Sequence, residues 1–361
     1  RIHYNLQNSG DFMDAVRSTV AELEGAYALA VMSVDHPDQL VIARQGAPAV
    51  VGLGIGENFI ASDVAALLPV TRNFVFLEEG DVALVERDQV TIWDEAGNAV
   101  ERPVSESELH ADAAERGEFR HFMLKEIYEQ SEAVARTLNG RIADGRVLDA
   151  SFGPLAVDAL NRTKGVHIVA CGTSYHAGLI ARYWIESLCR LPCTVEIASE
   201  YRYRSPVVPD DTLFVTISQS GETADTLAAL RAAKEAGYIS TLTICNVPES
   251  SMVRESDLTM MTHAGPEIGV ASTKAFTTQL AALALLTVSL ARRNGLEERQ
   301  ERALVSQLVE LPKLINDVLA LDPSIEALAE HFADKHHALF LGRGVQHPVA
   351  MEGALKLKEI S

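Results

Sequence analysis

The stretch Leu213-Phe-Val-Thr-Ile-Ser-Gln-Ser-Gly-Glu-Thr-Ala-Asp-Thr226 decides how the chain is read. Its first five residues have the apolar, β-branched character of a fully buried strand, and from Thr223 the pattern turns helical. Ser218, Gln219, Ser220, Gly221 and Glu222 lie between the two. The hydroxyls of Ser218, Ser220 and Thr223 therefore sit where a helix presents unpaired backbone N–H groups and the positive end of its dipole. Donors of this kind can surround the oxygens of a phosphate monoester without lysine. A helix cap is the simpler alternative, but one cap needs one hydroxyl.

Outward from this stretch, strands and helices alternate, the signature of a parallel, doubly wound α/β sheet. The expected strands are 167–170, 195–198, 213–217, 241–245 and 258–261; the helices between them include 175–188, 223–236 and 273–292. The segment 275–291 contains Thr277, Thr278, Gln279, Thr287 and Ser289, so it reads as a buried helix and not as a membrane span. Ligands of such sheets bind outside the carboxyl ends of the strands. A second loop there, Cys171-Gly-Thr-Ser174, offers Gly172 for close backbone approach and Thr173 and Ser174 as donors. Cys171 has no identifiable His or Asp partner and reads as a buried loop thiol. In a third loop, 265–274, Glu267 and Lys274 are either site residues or capping and surface residues.

Residues 350–361 are helical in pattern, and about 100° per residue brings Glu352, Lys356 and Glu359 into an arc of roughly 60°. Met351, Leu355, Leu357 and Ile360 flank that arc. A charged stripe between apolar residues points into a cleft, where partial burial raises a glutamate's pKa and fits it for proton transfer. A solvated face with i,i+4 pairing remains the alternative. Residues 338–341 followed by Gly342-Arg-Gly344 repeat the pattern of residues 167–172, so a second sheet of the same kind is expected to begin near residue 330.

The first hundred residues read differently. A short helix over 11–23 precedes strand-like runs at 26–34, 39–44, 49–54, 58–62, 75–77, 81–86 and 89–94, with turns at 36–38, 79–80 and 95–97. Short strands at this spacing predict antiparallel sheets. Gly52-Leu-Gly54-Ile-Gly56 looks like a dinucleotide fingerprint, but a strand follows it, so a hairpin turn is expected. Residues 106–117 read as a polar linker and 119–138 as one long helix.

Composition narrows the function. The 361 residues are 47% hydrophobic and carry a formal charge of −19, which argues against sequence-independent nucleic-acid binding. Four cysteines are too few for a disulfide scaffold, and Cys189 and Cys193 have no matching pair for zinc, so no metal is expected and a reducing cytoplasm fits.

Several of these stretches, in order, resemble the glutamine–fructose-6-phosphate aminotransferase family. Residues 171–175, 218–226, 267–279 and 352–359 look like its isomerase-domain motifs; residues 56–63 and 77–81 look like the second half of its glutaminase domain, and 120–129 like the connecting segment. The resemblance implies the C-terminal part of an αββα N-terminal-nucleophile glutaminase domain (1–106), a linker and connecting helix (107–150), a first sugar-isomerase (SIS) domain (151–297), connecting helices (298–329) and the start of a second SIS domain (330–361). It implies an enzyme that forms glucosamine 6-phosphate from fructose 6-phosphate and glutamine, a homodimer at full length, with no cofactor, nucleic acid or membrane. By motif, Ser218, Gln219, Ser220 and Thr223 would bind the phosphate. Gly172, Thr173 and Ser174 would lie along the sugar, and Val270 would contact it through its backbone. Glu359 would move a proton between C1 and C2, with Lys356 and Glu352 beside it.

The chain also departs from the family's pattern. The glutaminase nucleophile is an N-terminal cysteine, whereas this sequence starts at Arg1 and its first cysteine is Cys171. The family's Schiff-base lysine, and the histidine beyond the Glu359 motif, have no counterpart. Both ends therefore read as cut, glutamine is expected as a partner only of the full-length enzyme, and this stretch is expected to bind the sugar phosphate without turning it over. Competing readings are a non-catalytic SIS sugar-phosphate regulator, against which the β-rich first unit and the acidic balance speak, and a stand-alone SIS isomerase, which would lack the upstream half.

Overall fold

The computed structural model describes residues 1–107 and 116–360, which divide into two compact units, Arg1–Glu115 and Arg116–Ser361. Of the expected linker, residues 108–115 lie outside the described residues.

The first unit has helices α1 (Ile2–Ser9) and α2 (Phe12–Val20), then strands β1 (Tyr27–Ser33), β2 (His36–Gln45), β3 (Val50–Leu53), β4 (Asn58–Ala61), β5 (Asn73–Phe76), β6 (Val82–Val85), β7 (Val90–Trp93), β8 (Ala99–Val100) and β9 (Val104–Glu106). They form two antiparallel sheets, ordered β1-β2-β6-β7-β8 and β4-β3-β5-β9. Alternation along β2 explains the layering. Val41 and Ala43 pack with Phe12 and Val16 of α2, whereas Ile42 faces Val51, Val75 and Ile92 between the sheets. Two expectations are corrected. The chain is already helical before Gly10, which ends α1 at φ 70°, and the Asp11 side chain then accepts Asp14 N–H at 2.7 Å to start α2. Residues 36–38 belong to β2, because the hairpin turns one step earlier, at Val34-Asp35. Gly54 N–H bonds to Glu57 O across a hairpin between β3 and β4, as the spacing predicted.

The second unit opens with α3 (Phe122–Tyr128) and α4 (Gln130–Leu138), so the expected single helix is interrupted at Glu129. A small hairpin, β10 (Ile142–Ala143) and β11 (Arg146–Val147), leads to α5 (Ala156–Arg162). The parallel sheet follows: β12 (Gly165–Ala170), α6 (Gly172–Trp184), a π turn at Ile185–Cys189, β13 (Cys193–Ile197), α7 (Ala198–Tyr201), β14 (Thr212–Ser218), α8 (Ala224–Glu235), β15 (Ser240–Cys245), α9 (Ser251–Glu255) and β16 (Leu258–Met261). Its order is β13-β12-β14-β15-β16, every pair parallel. β12 and β14 are buried along their whole length, as a sheet covered on both faces requires.

Helix α10 (Lys274–Arg293) packs along this core. It is long and apolar enough to cross a membrane, yet 78% of its most apolar stretch is buried within the fold. Helices α11 (Glu298–Leu319), α12 (Asp322–Ala329) and α13 (Gln346–Ile360) complete the unit. Residues 338–341 form no strand, contrary to expectation. A strand exists only where a neighbour takes up its backbone groups, and Leu339 and Leu341 are 87% exposed here.

Candidate sugar-phosphate site

The sheet order reverses between β12 and β14, so the loops that leave these two strands diverge and open a crevice at the sheet's carboxyl edge. A cavity of about 240 Å³ lies there. Ser218, Gln219, Ser220 and Thr223 line it from the β14 loop, and Cys171, Thr173 and Ser174 from the β12 loop. Val270 and Ser272 come from the loop after β16, and Glu359 from α13. No lysine or arginine is among the lining residues.

The β14 loop is built to present hydroxyl hydrogens. Ser218 Oγ accepts Gly221 N–H at 3.0 Å and lies 3.1 Å from Thr223 Oγ1; Ser220 Oγ accepts Glu222 N–H at 3.2 Å. An oxygen already engaged as an acceptor leaves its own O–H for an incoming acceptor. Gly221 makes the turn possible. Its φ is 69°, and a Cβ there would lie 2.4 Å from Ser250 Cβ and 2.8 Å from Cys245 Sγ.

Helix α13 meets α6 in a buried polar cluster. Glu352, 5% exposed, accepts Thr173 Oγ1–H at 2.9 Å on one oxygen and lies 2.7 Å from His176 Nδ1 on the other. Lys356 Nζ donates to Thr173 Oγ1 at 2.9 Å, and stands 3.3 Å from Glu352 and 2.7 Å from Glu359. Burial pushes the Glu352 carboxyl up, but the hydrogen bonds from His176 and Thr173 and the charges of Lys356 and His176 outweigh it and hold the group below its usual range. This reverses the expectation of a raised glutamate for Glu352, whose two oxygens face protein groups.

The expected residues thus separate. Ser218, Gln219, Ser220, Thr223, Ser174, Val270 and Glu359 line one cavity. Thr173 lines it too, but its hydroxyl is engaged by Glu352 and Lys356. Glu352 and Lys356 stand behind Glu359, and Gly172 opens α6 at φ 54° without lining the cavity. Cys171 is half-exposed on the cavity wall, not buried. Glu267 is a cap: it accepts the N–H groups of Thr273 and Ala275 at the start of α10, and Ser272 Oγ–H. Lys274 is buried and paired with Glu129 at 2.6 Å. Sequence reading missed His176, Ser272 and Glu126. Glu126 of α3 is buried and accepts Ile268 N–H at 2.6 Å and Gly269 N–H at 3.0 Å, which fixes the loop carrying Val270. Burial drives its carboxyl up against the lowering effect of those two bonds. Ser272, two residues from Val270 and next to a helix start, was the one with a local signal.

The SIS domain family matches residues 159–289. The C-terminal domain of glucosamine-fructose-6-phosphate aminotransferase from Francisella tularensis superposes with a TM-score of 0.67 at 54% identity, covering 69% of this chain and 70% of that one. The chain belongs to the glutamine–fructose-6-phosphate aminotransferase family. The Pseudomonas putida aminotransferase is 60% identical over all 361 residues, and the Escherichia coli enzyme is 56% identical over 360. The chain spans 59% of the length of each of these relatives. Glucosamine-6-phosphate deaminase from Thermotoga maritima shares the fold, at a TM-score of 0.51 and 24% identity.

Proposed function

We propose that the second unit binds a hexose 6-phosphate in the cavity between the β12 and β14 loops, and that Glu359 is the base that carries a proton between C1 and C2. The observation that carries this reading is the opposition of two chemistries in one small cavity. Ser218, Ser220 and Thr223 present hydroxyls on one wall, and a carboxylate held by Lys356 stands on another. The first suits a dianionic ester at a helix start. The second suits ketose–aldose isomerisation, which needs one positioned carboxylate and no redox group. Lys356, fixed by Thr173 and Glu352, sets the orientation of Glu359.

The reaction we assign to the parent enzyme is formation of glucosamine 6-phosphate from fructose 6-phosphate with nitrogen from glutamine. The sugar-phosphate step is the part of that reaction we place on the second unit, whose residues line the cavity. Identity to the aminotransferases runs through both units, which favours this assignment over a free-standing SIS isomerase or regulator.

Calorimetry on the folded chain tests the reading. Fructose 6-phosphate and glucosamine 6-phosphate should bind, and Ser220→Ala should weaken both about tenfold, the effect of about 1.4 kcal/mol from one lost hydrogen bond to a charged group. Absence of uptake by well-folded chain would refute it.

A further inference from the structure

The cavity has two separately built parts, the phosphate loop after β14 and the loop after β16 that carries Val270 and Ser272. The sheet order puts the end of β15 between them. Asn246 is the first residue beyond β15 and is only 8% exposed. Its backbone N–H donates to Gln219 O of the phosphate loop at 3.3 Å. Its side chain reaches the other way: Nδ2 donates to Gly265 O at 2.8 Å, while Oδ1 accepts Ala264 N–H at 2.7 Å and Thr262 Oγ1–H at 3.1 Å. All three hydrogen bonds of a side chain that could make four thus go to one loop, and that of the main chain to the other.

We propose that Asn246 is a positioning residue that sets the distance between the phosphate-binding loop and the sugar-facing loop, and so determines how well the site accepts a sugar attached to the phosphate. The residue does not line the cavity; it acts through Gly265 and Ala264, which lead into Val270. The inference rests on the reading of the cavity as a sugar-phosphate site. It differs from a general stabilising role in one respect. The phosphate loop is held by the Asn246 main chain, by Met252 N–H bonding to Gly221 O and by Ser251 N–H bonding to Glu222, none of which needs the amide side chain. Loss of that side chain therefore loosens the sugar-facing loop at its Thr262–Gly265 end, where Arg136 still holds the His263 and Ala264 carbonyls, and leaves the phosphate loop held.

The test uses the full chain, with inorganic phosphate and fructose 6-phosphate as probes in calorimetry, and hydrogen exchange of the unliganded protein. In Asn246→Ala, phosphate affinity should stay within about twofold while fructose 6-phosphate affinity falls about tenfold, a differential of about 1.4 kcal/mol. Amides of residues 264 and 265 should exchange faster, and those of 268–269, which Glu126 holds, and of 218–223 should not. Asn246→Asp keeps the acceptor for Ala264 but replaces the donor to Gly265 with a second acceptor that faces its carbonyl oxygen, and serves if the alanine variant does not fold; it should show the same pattern. Equal loss for both probes, or unchanged exchange at residues 264 and 265, overturns the inference. Failure of the unsubstituted chain to bind either probe overturns the site reading instead, and the exchange result then decides the loop-positioning claim by itself.

Discussion

Gly221→Ala probes the phosphate loop's construction most sharply. The residue sits at φ 69°, where an L side chain costs about 1–2 kcal/mol. The added Cβ would also meet Ser250 Oγ at 2.0 Å, Ser250 Cβ at 2.4 Å and Cys245 Sγ at 2.8 Å. Cys245 is fully buried, so the neighbours have little room to retreat, and overpacking of this kind costs about 1–3 kcal/mol. Together the substitution should destabilise the second unit by about 2–5 kcal/mol, or lower its melting temperature by roughly 4–20 °C. The two contributions separate in a double-mutant cycle. Ser250→Gly removes both Ser250 contacts, and alone it costs only a few tenths of a kcal/mol, because glycine is tolerated at the cap position that precedes a helix, and Ser250 caps α9 without a side-chain capping bond. In the Gly221→Ala background it should restore about half of the loss and leave the backbone part. Urea unfolding of the four proteins, followed by a probe in the second unit, measures this. A Gly221→Ala chain as stable as its parent, or strictly additive losses, would refute the reasoning.

Other perturbations test neighbouring parts of the account. Glu352→Gln should cost about 2–3 kcal/mol at pH 7, because it removes a carboxylate that accepts Thr173, meets His176 and pairs with Lys356. Since the folded-state value lies below that of the unfolded chain, this stability is present above the ordinary glutamate range and is lost as pH falls through the folded value; urea midpoints of parent and variant should converge in acid. Glu129→Gln should destabilise by about 3–5 kcal/mol, since it leaves the buried Lys274 ammonium unpaired, whereas Lys274→Met should cost less because Glu129 keeps Lys125 at 3.4 Å. Denaturant titration ranks the two. Burial pushes the Cys189 and Cys193 thiols up to about 12, so iodoacetamide at pH 8 should label neither in the folded chain and both in urea, read by mass spectrometry.

Much of the second unit was legible because its signals are local. An apolar run such as 213–217 admits few structures other than a strand covered on both faces, and the hydroxyl-rich turn after it falls where such sheets bind ligands. What failed depended on distant partners. Residues 338–341 have strand composition but no neighbour among the described residues to pair with. The Thr173 hydroxyl looked like a ligand donor until α13 placed Glu352 and Lys356 on it, 179 and 183 residues away in sequence. Glu352, Lys356 and Glu359 were read as one stripe, and the helix does align them; that only Glu359 reaches the cavity follows from the packing of α13 on α6. His176, Asn246 and Glu126 were missed for the same reason, since their partners lie in other elements. The break at Glu129 and the helix before Gly10 are boundary details that propensity resolves poorly.

The most direct measurement is a structure of the chain with fructose 6-phosphate bound. The phosphate should lie within hydrogen-bonding reach of the Ser218, Ser220 and Thr223 hydroxyls, with C1 and C2 turned towards Glu359. A sugar phosphate seated elsewhere, or held here with those carbons facing away from Glu359, would contradict it.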